Sequence, residues 1–141
     1  MQLDPDIRML YYRRGQSHHE LGMYREADQD YEQSYERRPD YGNLSKSWAW
    51  QLSTCPDAEF RDGKKAIRLL TKEGRKGADI ETLAAAYAEV GDFEEAVQLQ
   101  QQLLKRYAGK ASAEQLASHQ QRLKLYQAKK PYRTRRPASN E

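Results

Sequence analysis

Two six-residue stretches, GMYREA at 22–27 and GDFEEA at 91–96, lie 69 residues apart and share one plan: glycine, one residue, an aromatic, two polar residues, alanine. Twelve residues before each alanine stands another small residue, Gly15 or Ala84, inside an apolar helical pattern. Ala49 lies 34 residues after Gly15 and 35 before Ala84, so a unit of about 34 residues runs three times, over about 8–41, 42–76 and 77–110. A period of this length makes each unit one supersecondary piece that buries its apolar face only by stacking on the next.

Each outer unit predicts two helices. Asp4 and Pro5 supply a cap and a first-turn proline for a helix to about Leu21. Gly22 breaks it, and a second helix runs from about Tyr24 to Arg37 with Ala27, Tyr31 and Ser34 on one stripe, stopping before Pro39. In the third unit Asp79 caps a helix through Val90, Gly91-Asp92 turns, and Phe93 to about Tyr107 forms its partner. Gly15 with Ala27, and Ala84 with Ala96, let paired helices approach closely while Tyr24 or Phe93 fills the space beside them.

The middle unit departs from this plan. Ala49 to Ala66 spans 17 residues against 12 in the outer units, which puts five extra residues in the turn TCPDAEFRDG, 54–63. The helix after it is correspondingly short, ending near Gly74. Ser112 with Gln115 makes a capping-box start for a closing helix over about 112–128, in which Leu116, Leu123, Leu125 and Tyr126 cover the end of the third unit. Residues 1–128 thus read as one repeat domain, and 129–141, rich in Lys, Arg and Pro, as a basic flexible tail. No segment alternates as a strand does, so the fold class is all-α, an α-solenoid.

With 38% apolar against 32% charged residues, a thick core and a large-cored enzyme are disfavoured. A single cysteine, Cys55, allows no internal disulfide and fits a reducing, cytoplasmic setting. No stretch approaches the roughly 20 apolar residues of a membrane span. The formal charge is +3, but five bases and one acid lie in 129–141, leaving a body of net −1. A basic pI that belongs to an appendage argues against a body-wide nucleic-acid face.

Residues 8–41 resemble a tetratricopeptide repeat, with Tyr11, Gly15, Gly22, Tyr24, Ala27, Tyr31 and Pro39 at signature positions. Residues 77–110 match through Leu83, Ala84, Tyr87, Gly91, Phe93 and Ala96. The middle stretch SWAWQLSTCPDAEFRDGKKAI (47–67) is similar to a divergent repeat of bacterial proteins, and LKLYQAKKPYR (123–133) to the capping helix that closes such arrays. The resemblance implies a right-handed solenoid whose first helices line a concave groove for a peptide or partner helix. Carried over by register, the groove takes Met9, Tyr12, Gln16, His19 and Glu20 from the first unit. The second contributes Lys46, Trp50 and Ser53, and the third Glu81, Ala85 and Glu89. The carboxylate clamp of the chaperone-binding subfamily is not implied: its positions here hold Tyr12, Gln16, Ser47, Ala78 and Thr82. Arg14 and His18 stand where the motif has an apolar residue and an aromatic, so loose packing is expected in the first unit.

The chemistry-bearing residues point to no catalytic set, no metal and no cofactor. His18 and His19 are adjacent on a helix and point about 100° apart, which prevents joint ligation in the usual geometry. Cys55 has no base placed beside it and, before Pro56, reads as a small apolar turn residue. The acid pairs Glu94-Glu95 and Asp28-Asp30 read as solvated faces. Trp50 is the expected recognition aromatic, and Trp48, on a stripe with Leu44 and Leu52, the core one. The function expected is non-enzymatic: an adaptor, scaffold or accessory subunit that binds another protein. The alternative is an accessory subunit of a nucleic-acid complex, contacting anions through Lys129, Lys130, Tyr132, Arg133, Arg135 and Arg136. The duller expectation for that segment is Tyr132 folded on the last helix and hydrated arginines.

Overall fold

The structure, a computed structural model, describes residues 5–39, 43–75 and 77–138. Asp4, the expected first cap, the join of the first two repeats at 40–42, and the last three residues lie outside them. Among the described residues there are seven α-helices and no strand: α1 Pro5–Glu20, α2 Tyr24–Arg37, α3 Leu44–Thr54, α4 Gly63–Thr71, α5 Ile80–Glu89, α6 Phe93–Tyr107 and α7 Ala113–Gln127. Helices α1 and α2, α3 and α4, and α5 and α6 pair as hairpins, α3 joins the first hairpin to α5, and α7 packs on α6. This is an α-solenoid of three hairpins with a closing helix.

The repeat is visible at the level of single hydrogen bonds. Gly22 (φ 77°) and Gly91 (φ 87°) both turn in the left-handed region. In the first turn Gly22 N donates to His19 O at 3.0 Å and Met23 N to His18 O at 2.8 Å. In the third, Gly91 N donates to Ala88 O at 3.1 Å and Asp92 N to Tyr87 O at 2.9 Å. These are paired C-terminal caps in the same register, which glycine permits because it has no Cβ to clash. The side chains of Asp62, Asp79, Asp92 and Ser112 then accept amide hydrogens at the starts of α4, α5, α6 and α7.

Two apolar clusters fill the interior. Ala27, Tyr31, Leu44, Trp48, Ala49, Leu52, Ala66, Leu69 and Ala86 form the first, and Leu83, Ala84, Ala96, Leu99 and Tyr126 belong to the second. Ile67 and Leu70 touch both. The small residues of the period are buried as expected: a Cβ on Gly15 would lie 2.9 Å from the Tyr31 ring, and Ala49 and Ala84 are fully enclosed.

Three expectations are corrected here. Asp28 and Asp30 do not form a solvated face. Asp30 is buried and takes Arg14 (Nη2 at 2.6 Å) and His18 (Nδ1 at 2.7 Å), while Asp28 accepts the Trp48 indole N–H at 2.8 Å. Arg14 and His18 therefore do not loosen the first hairpin: a polar cross-link on a buried carboxylate replaces the missing apolar pair. Likewise 131–137 is not a free appendage but returns across the body.

The lengthened middle turn is anchored through Arg61, Asp62 and Gly63. Beyond a short 3-10 turn, Ala58–Phe60, Asp62 N donates to Leu52 O at 2.8 Å. Arg61 Nη1 donates to Cys55 O at 2.8 Å, and Arg61 Nε to Glu89 at 3.3 Å. A Cβ on Gly63 would meet Val90 Cγ1 at 2.7 Å, so only glycine lets α4 start this close to the end of α5. The insertion thus holds the second hairpin on the third.

Candidate functional site

Three helix faces meet in an open depression of about 280 Å³. Gln16, His19 and Glu20 come from α1, Lys46, Ser47 and Trp50 from α3, and Glu81 and Thr82 from α5, with Tyr31 beneath. Positions 16, 19 and 20 fall on one stripe of α1, as do 46 and 50 on α3, because residues three and four apart share a helix face. Six of the residues expected in a groove therefore converge: Gln16, His19, Glu20, Lys46, Trp50 and Glu81.

The other five stand outside the lining. Ser53 and Ala85 are buried, Ser53 Oγ donating to Ala49 O at 2.7 Å. Tyr12 packs against the first cluster and shares a hydrogen bond with Ser47 at 3.1 Å, while Gln16 Nε2 donates to its hydroxyl at 3.0 Å. Met9 is half-buried near the start of α1. Glu89 sits at the end of α5, held between two guanidiniums: Arg61 and Arg133, the latter at 2.5 Å.

His19 and Lys46 are positioned by neighbours. His19 Nδ1 bonds Gln51 Oε1 at 2.8 Å, and its ring meets Tyr24 edge-on with centroids 5.6 Å apart. Gln51, fully buried, also donates to Tyr24 O at 3.0 Å, so it links α3 to α2 and orients His19. Lys46 Nζ lies 3.4 Å from Asp79. Burial would push the Asp79 carboxyl up, but hydrogen bonds from Thr82 and the charge of Lys46 outweigh it and hold it below its usual value.

Trp50 is half-buried, and its indole is covered from α7 and from the C-terminal segment. The Arg122 guanidinium lies 5.3 Å from the Trp50 ring centroid and 4.4 Å from that of Tyr132. The two rings are themselves 5.8 Å apart. Burial opposes the charge on Arg122, and its ion pair with Glu81 overcomes this, so the group is held more firmly protonated. Sequence reasoning missed Arg122, although it lies three and four residues before Leu125 and Tyr126, the residues expected to face the array.

The basic segment lies beside this depression. Tyr132 folds back on Arg122, as the duller expectation held, but Arg133 is not simply hydrated: its Nη1 donates to Ser53 O at 3.3 Å in addition to the Glu89 pair. Thr134 N donates to Thr54 O at 2.9 Å. Arg136 Nη2 approaches Asp57 at 3.9 Å, and Pro137 lies against Gly22. Lys129, Lys130 and Arg135 are exposed.

Among the described residues no helix is long and apolar enough to cross a membrane, and no group of three or more His, Cys, Asp or Glu could hold a metal ion. Cys55 is buried, and burial pushes its thiol up, away from the reactive thiolate.

No curated protein and no solved structure matches the chain. Residues 10–41, which take in most of α1 and all of α2, match the tetratricopeptide repeat family. The first hairpin is thus matched directly as a tetratricopeptide repeat, and the third is built on the same glycine cap and the same small-residue spacing.

Proposed function

We propose that this chain is a non-enzymatic interaction module that holds a segment of another protein in the depression across α1, α3 and α5. Tetratricopeptide repeats in general mediate protein–protein contact, which supports a binding module. The observation that carries the groove assignment is the convergence of Gln16, Glu20, Lys46, Trp50 and Glu81 from three repeats on one open surface. Mixed charge around a half-buried aromatic suits a peptide: the ring supplies contact area at low entropy cost, and the charged rim selects register. The basic segment gives no comparable support for the nucleic-acid alternative, since Arg133 and Arg136 face Glu89 and Asp57.

The test compares affinity capture by the wild type and by a Trp50→Ala, Glu20→Lys variant, with circular dichroism confirming cooperative unfolding of both. The expected result is a partner captured by the wild type and lost from the variant. A folded variant that retained every wild-type partner would overturn the groove assignment.

A further inference from the structure

Residues 131–137 run past the C-terminal ends of α1, α3 and α5, which form a rim beside the depression: Thr134 bonds the end of α3, Arg133 pairs with Glu89 at the end of α5, and Pro137 lies against Gly22 just after α1. After α7 the chain turns at Lys129 (φ 58°), where the amides of Lys129 and Lys130 donate to Tyr126 O and Leu125 O at 3.0 and 2.9 Å. It then proceeds without regular structure. Helix C-termini carry unpaired carbonyls and partial negative charge, so a basic extended segment is the natural complement to such a rim. The carbonyls of Ser53 and Thr54, in the last turn of α3, accept from Arg133 Nη1 and Thr134 N. Glu89, at the end of α5, takes the Arg133 guanidinium. Trp50 takes the Tyr132 ring.

These contacts follow the pattern of peptide recognition: one main-chain hydrogen bond, one aromatic seat, one arginine seat. Trp50 belongs both to this rim and to the open depression. A segment lying in the depression and continuing past Trp50 therefore meets Tyr132.

Resting on the groove reading above, we propose that residues 132–134 act as an internal ligand. The Trp50 face, the Glu89 carboxylate and the Thr54 carbonyl form a subsite for an extended peptide bearing an aromatic residue followed by arginine. The chain's own Tyr132-Arg133-Thr134 holds that subsite until such a peptide competes. A short tether gives the internal segment an effective concentration on the order of millimolar, so a free peptide of the same sequence binds the wild type only weakly.

The test uses the full chain and a fluorescein-labelled peptide with the sequence of residues 128–138, with polarisation as readout. A Tyr132→Ser, Arg133→Ser variant is expected to bind this peptide at least tenfold more tightly than the wild type does. Adding Glu89→Gln in that background should cut the affinity tenfold. Equal binding by the wild type and the folded variant would overturn the proposal, as would equal binding of a peptide with serine at the Tyr and Arg positions. Should the variant fail to fold, hydrogen exchange of the wild type decides. Saturating peptide should speed exchange of the Thr134 amide, and no change overturns the idea. Wild-type dimers in light scattering that disappear with Arg133→Glu would also overturn it, by assigning the subsite to a second copy of the chain. Loss of partners in the Trp50→Ala, Glu20→Lys variant without any peptide binding would sink this inference alone and leave the groove reading standing.

Discussion

Trp50 and Tyr132, from the second hairpin and the last extended segment, set their rings 5.8 Å apart at 44°, with the Arg122 guanidinium against both. The residue singled out as the recognition aromatic is thus already in an aromatic contact. A tilted aromatic pair with a cation adds about 0.5–2 kcal/mol beyond area burial. Tyr132→Ala is expected to lower stability by about 1–2 kcal/mol in urea unfolding, with the slope unchanged. A change below about 0.3 kcal/mol would mean that the ring contributes no packing.

Gly15 faces the Tyr31 ring so closely that an added Cβ would come within 2.9 Å of two ring carbons and 3.2 Å of Asp30 Cβ. Replacing a mid-helix glycine by alanine normally gains about 1 kcal/mol of helix propensity. Overpacking a closed contact costs about 1–3 kcal/mol, and Tyr31, buried and beside the Asp30 cross-link, has little room to yield. Gly15→Ala is therefore expected to lower the melting temperature. A rise on calorimetry would show that the two helices of the first hairpin can separate at little cost.

Asp79 caps α5, accepting from Thr82 N at 2.9 Å and from Thr82 Oγ1 at 2.6 Å. Its carboxyl titrates below the ordinary 3.8 in the folded chain. The stability it contributes is then fully present above that ordinary value and disappears as the pH falls below it, through the lowered native one. Asp79→Ala should cost about 0.5–2 kcal/mol at neutral pH and less at acid pH. Denaturation at pH 7 and pH 3 measures both. An equal loss at the two values would show that the cap does not depend on ionisation.

Cys55 is wholly buried in the turn between α3 and α4, its carbonyl held by Arg61, and burial disfavours its thiolate. A disulfide-exchange reagent should label it only when the chain opens, so the labelling rate at low denaturant should track unfolding. Immediate stoichiometric labelling of the native protein would contradict the packing of that turn.

Most of the architecture is legible in the chain because its determinants are local or periodic. A left-handed glycine, an aspartate or serine cap and a small residue every 34 or 35 positions each act within a few residues or within one repeat, and α2, α6 and the capping box of α7 fall where that spacing puts them. Register also brings six of the eleven expected groove residues together, since three- and four-residue spacing suffices to place side chains on one helix face.

What sequence could not decide involves partners distant along the chain. Asp30 reads as one of two acids on a polar helix, and only the approach of α1 makes it a buried acceptor for Arg14 and His18. The basic segment reads as an appendage because its composition supports no helix. Its contacts are with carbonyls of α3 and a carboxylate of α5, some 40 to 80 residues earlier, and composition carries no trace of them. Periodicity specified the hairpins and their order. Which polar group meets which across the stack, and where the last ten described residues lie, followed from three helix ends being assembled into one rim, an arrangement that exists only after folding.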